Sequence, residues 1–295
     1  MVLGLALTGL VVTLLLVSSG LTIVVPARGM AIFPLPMALL LFGWLRFRLA
    51  VNQRQRQWRD FFGHLLMFLT ICLLGVLASY GVAARTTGFA DPVLNRIDMA
   101  LHFHWLAWYR EVSAVPALQN LGIAAYACIY LSPVIILAQH ARTQRIADAR
   151  QFLLTFWFGA VLTILLFPLF PAEGPLAFLW HGRIPYMPTS ALYQEQLIPA
   201  LRAHRVHQID LGALRGLVCA PSFHTVSAVI YMFAAWPLRQ LRWPLLALNL
   251  AMLAATPIEG THYLADMIAG SLVALVAILV VTVGLRTWSR QAGGG

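Results

Sequence analysis

His262 and Asp266 stand four residues apart in EGTHYLAD (Glu259–Asp266). At helical spacing both side chains fall on one face, about one turn from each other. A carboxylate so placed accepts the proton of one imidazole nitrogen and supports positive charge on the ring. The other nitrogen stays free as nucleophile or base. Such a pair can also do no more than steady helix packing, so its neighbours decide. In CAPSFHT (Cys219–Thr225), Pro221-Ser222-Phe223-His224 reads as a helix start. Proline suits a first turn, whose unpaired N–H groups favour an anion. Ser222 adds a hydroxyl and His224 an acid or base active near neutral pH. A third cluster, FPAEGP (Phe170–Pro175), contributes Glu173 and Gly174.

Together these residues fit phosphoryl transfer. One histidine attacks phosphorus, a carboxylate supports it, the second histidine protonates the leaving oxygen, and a helix N-terminus cradles the remaining oxygens. The chemistry requires no metal and no cofactor. A site of two histidines and one carboxylate holding a metal is the competing use of the same groups.

The elements that must position them are membrane helices. Of 295 residues, 60% are hydrophobic and 10% charged, and the mean hydropathy is +0.80. A soluble domain is about 45–50% apolar and about 25% charged, so a water-soluble globule is excluded. Disorder needs far more polar sequence, and a barrel would read as short alternating segments. The net charge of +10 comes entirely from arginine, with no lysine in the chain. Most arginines sit in short loops between apolar runs, as membrane topology demands, so nucleic acid is not an expected partner. Cys72, Cys128 and Cys219 lie in or beside apolar runs and suggest no disulfide framework.

Eight apolar runs are candidate spans, at 2–25, 30–47, 61–83, 117–139, 151–171, 221–238, 243–258 and 263–285. The first is uncharged and long enough to cross about 30 Å of hydrocarbon, so it reads as a retained helix and not a cleaved signal. With the N-terminus inside, the inner loops hold twelve arginines and two acids, while the outer segments balance at eight of each. That bias puts the three clusters at outer helix ends. Residues 84–116 read as an amphipathic helix on the membrane surface. Residues 172–220 form a loop long enough to carry function. No internal repeat is visible.

At this point the sequence resembles the type 2 phosphatidic acid phosphatase superfamily, through P-S-x-H followed by H-x-x-x-D at later outer helix ends. GTHYLADMIAGS and CAPSFHT look closest to its inositol phosphorylceramide synthase branch. The resemblance spans about residues 61–285 and implies an all-α, polytopic bundle with a six-helix core at 61–290. Residues 1–60 would be a two-helix addition, and 291–295 a disordered tail. By resemblance His262 forms a phosphohistidine, Asp266 supports it, His224 serves the leaving group and Ser222 binds phosphate. A lipid phosphate or phospholipid in the bilayer would be the substrate.

Two departures bear on that substrate. The phosphatase branch has an arginine six residues before the nucleophilic histidine, where this chain has Thr256, and basic residues in a first motif where FPAEGP has none. A phosphodiester carries one negative charge and needs fewer cations, which favours a lipid phosphotransferase over a monoester phosphatase. Gly174 and Arg215 join Ser222 as substrate-binding candidates, with Arg205 and Arg183 as further cations in the long loop. Glu173 and Glu259 flank the site and could tune a histidine or activate an acceptor hydroxyl. His102, His104, His204 and His207 read as interfacial or solvated, and His64 and His140 as structural. Arginine in place of lysine suits a GC-rich bacterial genome and hence a bacterial plasma membrane. A transporter with a midplane polar site, or an inactive scaffold, are the readings from other classes.

Overall fold

The computed structural model describes residues 1–190 and 192–292, and it is an all-α helical bundle with one small sheet. In chain order the elements are α1 (Val2–Val17), β1 (Thr22–Val24), α2 (Pro34–Arg46), α3 (Gln53–Ala83), α4 (Asp91–Ala100), α5 (Trp105–Ala114), α6 (Pro116–Tyr126) and α7 (Cys128–Arg142). There follow α8 (Ile146–Leu166), α9 (Pro175–Leu179), α10 (Tyr193–Arg202), β2 (Gln208–Asp210), α11 (Phe223–Ala235), α12 (Arg242–Glu259) and α13 (Leu264–Ala292). Of the tail expected at 291–295, the first two residues continue α13, and 293–295 lie outside the described residues.

Helices occupy all eight expected spans, but only five stretches among the described residues are long and apolar enough to cross a bilayer. These are Ala27–Arg46, Gln53–Ala83, Pro116–Arg142, Ile146–Leu169 and Leu264–Thr287. Val2–Val17 and Phe223–Ala235 are apolar but shorter. The chain is an integral membrane protein.

The run 2–25 is not one helix, which corrects the first expected span. Ser18 and Ser19 turn their hydroxyls back onto carbonyls of the last helical turn, and Gly20 adopts φ +68. Polar residues that bond their own backbone, followed by glycine in the left-handed region, end a helix. The β-branched Thr22, Ile23 and Val24 then favour extended backbone and pair in parallel with Gln208, Ile209 and Asp210. Arg28 reaches Asp210 at 2.5 Å. The N-terminal addition therefore clips the far end of the long 172–220 segment.

Asp210 gives this clip a pH limit. The hydrogen bond from Arg28, and then that from the Gly212 amide, hold its carboxyl below the ordinary carboxylate range. A depressed folded pKa stabilises above the unfolded value and is lost as pH falls through the folded one. Amides of 22–24 and 208–210 should therefore exchange faster in strong acid, after correction for intrinsic rates. Arg28→Ala should remove most of that dependence.

One core joins α3, α7, α8, α11, α12 and α13 through Phe68, Leu137, Phe156, Tyr231, Met252 and Ala274. These six helices carry the site. At one end Gln57 donates to the Arg142 carbonyl (2.7 Å) and Arg145 to that of Pro237 (3.0 Å). The short arginine-bearing connections thus share one end of the bundle, and the three sequence clusters share the other.

The segment 84–116 is two helices, not one surface helix. α4 and α5 are separated by Leu101–His104, with His102 in the left-handed region at φ 57. α4 is tied to the site and is more than a membrane-surface element. Asp91 and Asp98, seven residues apart, point the same way and are fully buried.

Candidate active site

Four of the sequence-derived residues meet at the junction of α11, α12 and α13. Nδ1 of His262 lies 3.1 Å from Oδ1 of Asp266, an ion-pair distance, and both side chains are almost wholly buried. The other carboxylate oxygen accepts the Tyr263 amide at 3.0 Å. Ser222 caps α11: its Oγ accepts from the Thr225 amide (3.4 Å) and hydroxyl (3.2 Å). The Ser222 amide donates to the Asp266 carbonyl at 3.0 Å, tying the two motifs backbone to backbone. That approach requires Gly270, where a Cβ would sit 2.5 Å from the Ser222 carbonyl oxygen.

His224 faces the pair from the first turn of α11. Its ring centroid is 6.1 Å from that of His262, and the planes are tilted by 56°. Tyr126 stacks on the His224 ring with centroids 4.1 Å apart and its hydroxyl 3.1 Å from Nδ1. When Tyr126 donates there, the neutral imidazole keeps its proton on Nε2.

The first cluster is near but differently employed. The Glu173 and Gly174 amides each donate to the Asp91 carboxylate at 3.0 Å, and Tyr263 donates its hydroxyl to the same group at 2.9 Å. The Gly174 amide is thus committed to an internal anion. Asp98 does the same for α13, accepting the Leu264 and Ala265 amides at 2.9 and 2.8 Å. Burial raises the pKa of both carboxyls, against the opposing pull of these N–H donors. One helix, α4, therefore clamps FPAEGP and the start of α13 in place.

Gly174 has a second constraint. Its φ is +98, and a Cβ would meet the Thr261 carbonyl oxygen at 3.0 Å. Gly174→Ala should cost about 1–3 kcal/mol, seen as a lowered melting temperature, from backbone strain and the pressed Thr261.

Arg215 does not join the cluster. It is exposed, its guanidinium lies 5.6 Å over the Tyr193 ring, and its amide donates to the Tyr80 hydroxyl. Arg183 and Arg205 are also exposed. His64 and His140 are buried in α3 and α7, while His102, His104, His204 and His207 are exposed.

Sequence reasoning missed Asp91, Asp98, Cys219 and Tyr126, and it set Glu259 only beside the site. Glu259 is buried at the end of α12 and accepts from the Tyr186 hydroxyl (2.5 Å), the Thr189 hydroxyl (2.6 Å) and the Thr189 amide (3.1 Å). It thereby straps the long loop across the EGTH turn. The Cys219 thiol lies 3.6 Å from Oδ2 of Asp266 and 4.0 Å from Nδ1 of His262. The sequence signals were the seven-residue spacing of Asp91 and Asp98, and the place of Cys219 three residues before Ser222.

An apolar groove of about 440 Å³ runs beside this cluster along α13. Leu94, Ile97, Leu162, Phe170 and Leu272 line it, and it reaches Pro221 and Asp266.

A family model described as the PAP2 superfamily matches residues 93–280, well over half of the chain, from within α4 to within α13. Nothing among curated proteins or solved structures matches the chain significantly. Ser222, His224, His262 and Asp266 all lie within the matched region, and the chain belongs to the PAP2 superfamily.

Proposed function

We propose that the protein is an integral membrane lipid phosphotransferase of the inositol phosphorylceramide synthase type. It would move a phosphoryl or phospho-headgroup moiety from a lipid donor to an alcohol. The observation that carries this reading is the facing of His224 toward the buried His262–Asp266 pair, with the N-terminus of α11 beside them. Membership of the PAP2 superfamily supports the broader class of lipid phosphatase or phosphotransferase.

Nε2 of His262, the nitrogen turned away from Asp266, attacks phosphorus. An N–P bond forms and the bond to the leaving oxygen breaks. His224, entering as the imidazolium with Nδ1–H on the Tyr126 hydroxyl, gives its Nε2 proton to that oxygen and ends neutral, while Asp266 stabilises the positive charge on the phosphorylated ring. In the second half the acceptor hydroxyl gives its proton to His224 and attacks phosphorus, and the N–P bond breaks. Ser222 and the first amides of α11 receive the phosphate oxygens.

Charge favours a diester as donor. Asp91, Asp98, Glu259 and Asp266 are buried around the site, and the candidate arginines lie elsewhere. A second negative charge on the substrate would meet these carboxylates at short range. The groove along α13 suits a hydrocarbon chain that enters from the bilayer. The arginine-rich end would face the cytoplasm, leaving the site on the extracytoplasmic side of a bacterial plasma membrane.

The test is turnover of purified protein in liposomes, with labelled lipid phosphomonoesters and phosphodiesters, and with ceramide, diacylglycerol or inositol as acceptors. A new phospholipid that appears only with an acceptor present is the expected result. Free phosphate released from monoesters without an acceptor would instead make the protein a lipid phosphatase.

A further inference from the structure

Cys219, His262 and Asp266 offer three different ligand atoms at one point. Nδ1 lies 3.1 Å from Oδ1, Sγ is 3.6 Å from Oδ2, and Sγ is 4.0 Å from Nδ1. One donor atom from each lies within 4.8 Å of the others, and all three residues are buried. Bonds of about 2.0–2.3 Å in a tetrahedral zinc site place neighbouring ligand atoms roughly 3.3–3.7 Å apart. The observed separations straddle that range.

The thiol is only loosely committed: its contacts to Oδ2 of Asp266, the Thr261 carbonyl and Nδ1 of His262 are all long, at 3.6, 3.9 and 4.0 Å. Oδ1 of Asp266, fully buried, has no hydrogen-bond partner among the described residues besides its contact with the imidazole. A thiolate, an imidazole and a carboxylate together suit zinc and not magnesium or calcium, which take oxygen ligands.

We infer that Cys219, Nδ1 of His262 and Asp266 form an inhibitory site for zinc or a similar divalent transition metal. This rests on the role proposed for His262. Binding joins the metal to the Nδ1 lone pair, a carboxylate oxygen and the thiolate, and the thiol proton leaves to solvent. A fourth position is left for water. The neutral ring has one proton, which then sits on Nε2. That nitrogen has no lone pair for phosphorus, and Asp266 is turned to the metal. The ion and the phosphoenzyme exclude each other.

Cobalt(II) reports the site without reference to activity. The full chain in detergent should bind one cobalt, with a thiolate-to-cobalt charge-transfer band that zinc abolishes. In the double variant Cys72→Ser/Cys128→Ser, Cys219 is the sole thiol, so the band should persist there; in Cys219→Ser it should be absent. No band in the wild type, no band in the double variant, or a band that survives in folded Cys219→Ser would each overturn the site. In turnover assays zinc should inhibit the wild type reversibly. The inhibition should weaken by about tenfold or more in Cys219→Ser, measured against that variant's own metal-free rate. Equal inhibition of both would show that zinc acts elsewhere. A protein silent on every lipid substrate, yet with the cobalt band intact, would sink the phosphotransferase reading and leave the metal site standing.

Discussion

His262→Ala should abolish turnover, lowering kcat by about 10⁴-fold or more, because the variant has no atom to carry the phosphoryl group. The protein should stay folded. The ring is buried, and its polar contacts are with Asp266 and, at a long 4.0 Å, with the Cys219 thiol. Backbone bonds hold the surrounding turn, with the His262 amide on the Pro257 carbonyl and the Thr261 amide on that of Ile258. Size-exclusion profile and melting temperature, read with the assay, separate chemistry from folding. A transporter would behave differently, since removing one polar group should reduce flux and not end it. Retention of more than about a tenth of wild-type turnover would contradict a nucleophilic role for this histidine.

Asp266→Asn should approach the same loss, about 10⁴-fold, by a different route. The carboxylate accepts the Nδ1 proton and leaves Nε2 with its lone pair. An amide in its place can present N–H to Nδ1, which moves the ring proton to Nε2 and removes the nucleophile. The Tyr263 amide would still find an acceptor in the amide oxygen, and the Ser222 amide bonds the backbone carbonyl, which the substitution leaves alone. Melting temperature should change little. Asp266→Ala should lose stability as well, since it strips the Tyr263 amide of its partner at a fully buried position. A large loss of kcat with a nearly unchanged melting temperature in Asn, and both losses in Ala, is the expected pattern.

Much of this site was legible in the sequence because its groups are local. His262 and Asp266 are one turn apart on one helix, and Ser222 and His224 open another, so spacing alone predicts which side chains share a face. The helical membrane class followed from long uncharged runs, and the shared end of the three clusters from the arginine loops. What stayed hidden depends on contacts between distant segments. Asp91 and Asp98 fall in the stretch 84–116 that reads as an amphipathic surface helix. In three dimensions they turn inward, because the Glu173, Gly174, Leu264 and Ala265 amides need acceptors where water is scarce. Gly174, expected to hold substrate, gives its amide to Asp91 for the same reason. Hydropathy also overran the end of α1. Thr22–Val24 is as apolar as a helix interior, yet its β-branched residues pair with a strand some 180 positions away. No local pattern announces that partner. Arg215, a substrate-binding candidate from its charge and loop position, lies over the Tyr193 ring, a contact that no local pattern shows.

The most direct measurement is to trap the covalent intermediate. Protein would be mixed briefly with a phosphorus-labelled lipid donor, quenched in base, digested and read by mass spectrometry. The expected result is an acid-labile, base-stable phosphohistidine on the peptide that contains His262, absent in His262→Ala. It should discharge when an alcohol acceptor is added before the quench. Label on His224 or on another residue, or turnover with no label on any histidine, would contradict the account.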